Sequence, residues 1–169
     1  MEIIDHILRE LELRLEATNR EREAMGAFPC EKSEISVLGQ MSLLMDKEAA
    51  KALPLAATMD LDALIKGDRT ARQELVAIIK AKGLVLDDLS GEIWIPPGAK
   101  FIEYHDSQLL RVTYLDPISA LTSKAIKAKE KNRILINAAL SHYGAQLKKM
   151  IESNGGNVEY FTNKQSMKL

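Results

Sequence analysis

The sequence predicts an α+β fold in which a mixed β-sheet is flanked by helices and followed by a C-terminal helical region. Three observations predict it. Apolar residues recur at helical spacing near both ends of the chain, short alternating runs such as Glu34–Leu38 and Phe101–Leu115 lie between them, and the two patterns interleave. With 169 residues and 46% apolar content, the chain can build one domain with a real core. The expected organisation is an N-terminal amphipathic helix over 1–27, an α/β core over 28–116, and a C-terminal helical region and tail over 117–169 that packs with the core.

The first helix follows from Ile3, Ile4, Ile7, Leu8, Leu11 and Leu15, which form one stripe, with Gly26 and Pro29 ending it. Glu34–Leu38 alternates as a strand. Gly39 then opens a stretch to Leu53 in which Met41, Leu44, Met45, Ala49 and Ala50 read as one helix or two short ones. Leu55–Ile65 reads as a strand, expected to end in Asp60-Leu61-Asp62. Gly67-Asp68-Arg69-Thr70 supplies a turn and an N-cap for a helix carrying Leu75, Val76, Ile78 and Ile79 up to Gly83. Glu92–Ile95 is expected to be β, before Pro96-Pro97-Gly98. Phe101–His105 and Leu109–Leu115 read as a hairpin. Asp116-Pro117 starts a helical region reaching about Ser153, since proline suits a first helical turn. Asn154-Gly155-Gly156 closes it, and a short strand around Val158–Phe161 with a loose tail is expected last.

Charge and cysteine content narrow the function classes. Twenty-three basic against twenty-four acidic residues leave a net charge of −1, so no global basic footprint for nucleic acid is present. The single Cys30 excludes a disulfide framework and a cysteine-based zinc site. No apolar run reaches the length a bilayer requires, and no leader pattern opens the chain, so the expectation is a cytoplasmic protein with no membrane partner. The N-terminal stripe serves either packing onto the body or a contact with a second copy or a cognate partner.

The densest chemical signal is Asp60-x-Asp62. Two residues apart on a strand, both carboxylates share a face, and two like charges held together call for a cation between them. Mg²⁺, or Mn²⁺ in its place, is the usual answer where phosphates are also bound. His6, His105 and His142 lie at no metal-binding spacing. Ser42 and Ser123 have no His partner in sight, Trp94 and Tyr104 read as packing residues on strands, and the glycines form no Walker-type loop or dinucleotide fingerprint.

Three stretches, Val37–Leu44 around Gly39, Ala57–Asp62, and Tyr114–Lys124 followed by Lys129–Lys131, resemble the nucleotidyltransferase-fold superfamily. The likeness is to its minimal bacterial members, related to the abortive-infection toxin transferases, and it spans about 35–139. It implies a nucleotidyltransferase-like mixed sheet, nucleoside triphosphate as substrate, a divalent metal on Asp60 and Asp62, and an RNA or protein hydroxyl as acceptor. It further implies that the Gly39 turn, with Gln40 and Ser42 behind it, lies against the triphosphate, and that Lys124 and Lys131 supply charge to phosphates. A third acid is expected on a later strand. Glu103 is the first candidate, with Glu92 and Asp106 competing. The sequence departs from the pattern at Gln40, where the fold prefers glycine or serine, at Lys129, which replaces an arginine, and at Asn132, which replaces an aspartate. These departures fit the alternative implied by the same likeness, a catalytically degenerate interaction module in a toxin–antitoxin or regulatory pair.

Overall fold

Alternation in the Glu34–Leu38 run becomes strand β1 (Ser33–Val37), whose residues are by turns buried and open. In the computed structural model, which describes residues 2–87 and 90–163, β1 lies at the centre of a four-stranded mixed sheet. Helix α1 (Glu2–Ala24) precedes it. After β1 come α2 (Gly39–Met45) and α3 (Lys47–Ala52), two short β segments, β2 (Asp60–Leu61) and β3 (Ala63–Lys66), and α4 (Arg69–Ala81). Then follow β4 (Val85–Leu86), the hairpin β5 (Phe101–Asp106) and β6 (Leu110–Leu115), α5 (Pro117–Lys127), α6 (Arg133–Ser153) and α7 (Glu159–Thr162). The main sheet runs β3-β1-β6-β5, with β1 antiparallel to β3 and parallel to β6; β2 and β4 form a separate parallel pair.

The sheet sits between two apolar clusters. One side buries Ile35, Val37 and Val112 against the stripe of α1 and against Leu75, Ile78 and Ile79 of α4. The α1 stripe is thereby spent inside the chain: Ile7, Leu11 and Leu15 are each at most 1% exposed. Of the two roles expected of the stripe, the structure shows packing onto the body, where burying each such side chain yields roughly 1.5–3 kcal/mol; on the same helix Ile3 and Leu13 remain exposed. The other cluster gathers Leu38, Leu43, Leu115, Leu121, Ile136, Leu147 and Ile151, where α2, α5 and α6 pack.

Caps divide the helices where the sequence placed turn residues. Asp46 separates α2 from α3 by accepting the amides of Glu48 and Ala49 at 3.1 and 2.8 Å. Asp68 caps α4 through Thr70 N–H, and Asp116 caps α5 through Ser119 N–H. The α6 helix is broken at Gly144, whose φ of 55° departs from helical geometry.

Three expectations are corrected. The acidic strand does not end at Asp62; it begins at Asp60 and changes sheet at Asp62, with Asp60-Leu61 pairing to β4 and Ala63–Lys66 pairing to β1. The run Glu92–Ile95 is not a strand: Ser90–Glu92 is a 3₁₀ turn and no ladder follows it, in keeping with the missing donors of Pro96 and Pro97. Val158–Phe161 is likewise not a strand but leads into α7. Asn157 Oδ1 accepts Glu159 N–H at 2.9 Å, and Phe161 is driven into the second cluster. The tail expected at 164–169 lies outside the described residues. Among the described residues no helix is long and apolar enough to cross a membrane.

Candidate functional site

The site forms where β1 hands over to α2. Leu38 N–H donates to Asp62 O at 2.8 Å, carrying the β1/β3 ladder one pair beyond Val37 and Ala63 and setting Gly39 against Asp62. Gly39 has a φ of 62°, and a Cβ there would run into the Asp62 carboxylate. Glycine is therefore required twice, by the backbone angle and by the approach of an acid. From the other flank, β4 lies beside β2, and Asp87 N–H donates to Leu61 O at 3.1 Å. That turn delivers Asp87 within hydrogen-bonding reach of the Asp62 carboxyl. Lys124, in the last turn of α5, is close enough to feel Asp62, and Lys131, from the turns after α5, is close enough to repel Lys124.

Electrostatics mark these groups out. Burial is the largest influence on Asp62 and raises its pKa above the usual carboxylate range; repulsion from Asp87, a shared hydrogen bond with it, and the field of Asp60 act in the same direction, while Lys124 pulls it down. Burial likewise lowers the Lys124 pKa, helped by Lys131 and opposed by Asp62. Among the described residues the Lys124 ammonium makes neither a hydrogen bond nor a close ion pair. A desolvated carboxylate and a desolvated ammonium thus lie within each other's field without a direct ion pair among the described residues, an arrangement that accommodates a ligand carrying both signs, such as an anion with its cation.

The structure brings together Gly39, Asp60, Asp62, Lys124 and Lys131 from four separated segments. It does not bring Glu103. That residue is exposed on β5, 3.6 Å from Arg111, and β6 and β1 stand between β5 and β3, a separation of about 14 Å at the usual strand spacing. Asp106 is engaged by Lys32 at 2.5 Å, and Glu92 is exposed in the 3₁₀ turn. The carboxylate beside Asp62 is Asp87, which the sequence reading passed over. Its signal was the apolar triplet Leu84-Val85-Leu86 between Gly83 and two acids, a strand too short to stand out. Asp88 lies outside the described residues.

Gln40 and Ser42 have partners of their own. The Gln40 amide donates to Ala56 O at 3.2 Å, tying the start of α2 to the segment before Asp60. Ser42 is fully buried and its hydroxyl donates to Gly39 O at 2.9 Å, so it braces the turn and does not reach a ligand, contrary to expectation. His105 pairs with Glu12 at 2.9 Å and His142 with Glu48 at 3.1 Å, both away from the acids. Ser123 donates to Trp94 O at 2.6 Å. Burial raises the pKa of the Cys30 thiol, which suits packing and not nucleophilic chemistry.

Among the described residues no three His, Cys, Asp or Glu side chains are arranged to hold a metal ion. The expected pair also differs: Asp60 is exposed and is the weakest of the charges acting on Asp62, whereas Asp87 is hydrogen-bonded to it. Asp62 and Asp87 together offer two hard oxygen donors. That number fits Mg²⁺, which takes one or two protein carboxylates and completes its shell with water and substrate phosphates, and it does not fit a cage built from protein alone.

Comparison with known proteins returns no match: no family model matches the chain, and no curated protein or solved structure does either.

Proposed function

We propose that the protein is a nucleotidyltransferase-like protein that binds a nucleoside triphosphate with Mg²⁺ between the Asp62–Asp87 pair and Lys124. One observation carries this reading: a carboxylate whose proton affinity is raised by burial and by a second acid lies within the field of a desolvated lysine that makes no direct ion pair among the described residues, at the end of a mixed sheet beside a positive-φ glycine. In this reading Asp62 and Asp87 hold the metal, with Asp60 at its open side. Lys124 and Lys131 meet the phosphates as point charges. When bound, Mg²⁺ or Mn²⁺ supplies charge neutralisation for the triphosphate and for departing pyrophosphate. The transfer places a nucleotidyl group on an RNA or protein hydroxyl: the hydroxyl oxygen bonds to the α-phosphorus, the bond to the bridging oxygen breaks, and the hydroxyl proton passes to a carboxylate of the Asp60, Asp62 and Asp87 set.

Isothermal titration of the full chain with each of the four triphosphates tests it. Saturable binding in Mg²⁺ that disappears in EDTA, and that weakens by about tenfold or more in Asp62→Asn and in Lys124→Met, is expected. Absence of binding for all four, or binding unaffected by either substitution, would sink it.

A second reading, a degenerate module of a toxin–antitoxin or regulatory pair, is favoured by the Gly39 turn itself. Asp62 occupies the space above Gly39, and Gln40 is fastened to Ala56, so the turn is already closed over by the chain's own groups. Transfer of label from α-radiolabelled triphosphate to an acceptor would exclude this reading.

A further inference from the structure

Away from the acids, a cavity of about 720 Å³ opens between the start of α1, helices α2 and α3, and residues 57–59. Its volume falls in the range of small-molecule sites, about 300–1,000 Å³. Ile4, Met41, Leu44, Met45, Met59 and Leu84 give it an apolar floor and walls. No aromatic side chain lines it, so it is not built to stack a planar ring; three methionines can mould to a flexible chain. Neither Asp62, Asp87 nor Lys124 belongs to its lining.

Its charged lining is of one sign. Lys47, Lys51 and Lys82 contribute to the wall, and no carboxylate does. Lys82 is 3.3 Å from Glu10. Lys47 and Lys51 sit one helical turn apart on α3, exposed, and neither has an acidic partner among the described residues. Two ammonium groups without an acidic partner among the described residues, beside an open apolar surface, are complementary to a molecule with one anionic head and one flexible apolar tail. We propose that this cavity binds a single-chain acyl carboxylate, with the alkyl chain against the methionines and the carboxylate at Lys47 and Lys51. The site is independent of the triphosphate reading, since the two share no charged group.

Calorimetric titration of the full chain with decanoate, dodecanoate and tetradecanoate below their micellar concentrations tests the proposal, with dodecanol and dodecyltrimethylammonium as head-group controls. One-to-one binding is expected, tightening by up to about fourfold per added methylene. Lys47→Glu/Lys51→Glu should weaken dodecanoate by about tenfold or more while leaving dodecanol unchanged. Ala50→Trp, at an exposed position on the wall, should fill the cavity and abolish binding with an unaltered circular dichroism spectrum; Ala57→Trp provides the same test from the opposite side should the first variant not fold. The proposal is overturned by a lack of saturable binding, by affinity that ignores chain length, by equal binding of the trimethylammonium compound, or by wild-type affinity in a folded tryptophan variant. Binding to phosphatidylglycerol vesicles with none to free dodecanoate would overturn it as well.

Discussion

The carboxylate of Asp62 lies in the space that a Cβ on Gly39 would claim, so the glycine turn and the acid are two halves of one packing contact. Gly39→Ala should therefore destabilise the protein through both the collision and the cost of a positive φ, the latter alone about 1–2 kcal/mol. Urea unfolding of Gly39→Ala, Asp62→Gly and the double variant separates the two. The collision is relieved in the double variant while the backbone cost stays, giving a coupling energy that favours the pair.

Asp62 should also be a stability liability at neutral pH. Its folded pKa is raised by burial and by Asp87, so the folded state holds this proton more tightly than the unfolded chain does. The stability it contributes is fully present below the unfolded value of the carboxyl and is lost as pH rises through the folded one. Asp62→Asn should raise the thermal midpoint at pH 7, and the gain should shrink as pH falls through the raised folded value toward the ordinary carboxyl value of 3.8, below which it stays constant. Melting curves across that interval check it, and an Asn variant less stable than wild type at pH 7 would contradict it.

The opposite sign is expected at Asp68. Arg22 Nη1 donates to its carboxylate at 2.9 Å, Arg22 Nη2 donates to Thr70 Oγ1 at 2.8 Å, and Thr70 N–H is accepted as well, bringing the Asp68 pKa down from 3.8 to about 2. This contribution is present above pH 3.8 and is lost as pH falls toward 2. Arg22→Gln removes the largest cause. It should raise the Asp68 pKa toward its ordinary value and move acid unfolding, followed by circular dichroism, to higher pH.

The C-terminal helix α7 should matter to the whole core. Phe161 is 1% exposed, and Asn137 Nδ2 donates to its carbonyl at 2.7 Å. Phe161→Ala should cost about 3–5 kcal/mol in urea unfolding, the range for emptying a buried aromatic site. A loss below 1 kcal/mol would show that α7 is a loose appendage.

What the sequence disclosed and what it withheld follow from the range of the forces involved. α1, α4 and α5 were legible because an apolar stripe at helical period coincides with a cap or stop residue at an end of each, as with Asp68 before α4 and Asp116 before α5. The β5/β6 hairpin was legible because Asp106-Ser107-Gln108 separates two runs of strand residues. The change of sheet at Asp62 was not, since alternation tells which residues share a face but says nothing about which strand lies alongside. Val158–Phe161 is too short for its period to separate helix from strand. The same limit governed the site. Gly39, Asp60, Asp62 and the lysines were visible as residue types in order, whereas the choice of Asp87 over Glu103 depends on β4 pairing with β2, a tertiary event with two residues of signal.

The most direct test of the metal–nucleotide reading is the titration of the Asp62 carboxyl carbon by NMR, without and with Mg²⁺ and a nucleoside triphosphate. A cation on the Asp62–Asp87 pair would outweigh the burial and the repulsion from Asp87 that now raise this pKa, so titration should move from above the ordinary carboxyl value to well below it when both ligands are present. An Asp62 titration that stays raised in the presence of saturating Mg²⁺ and each of the four triphosphates would contradict the account.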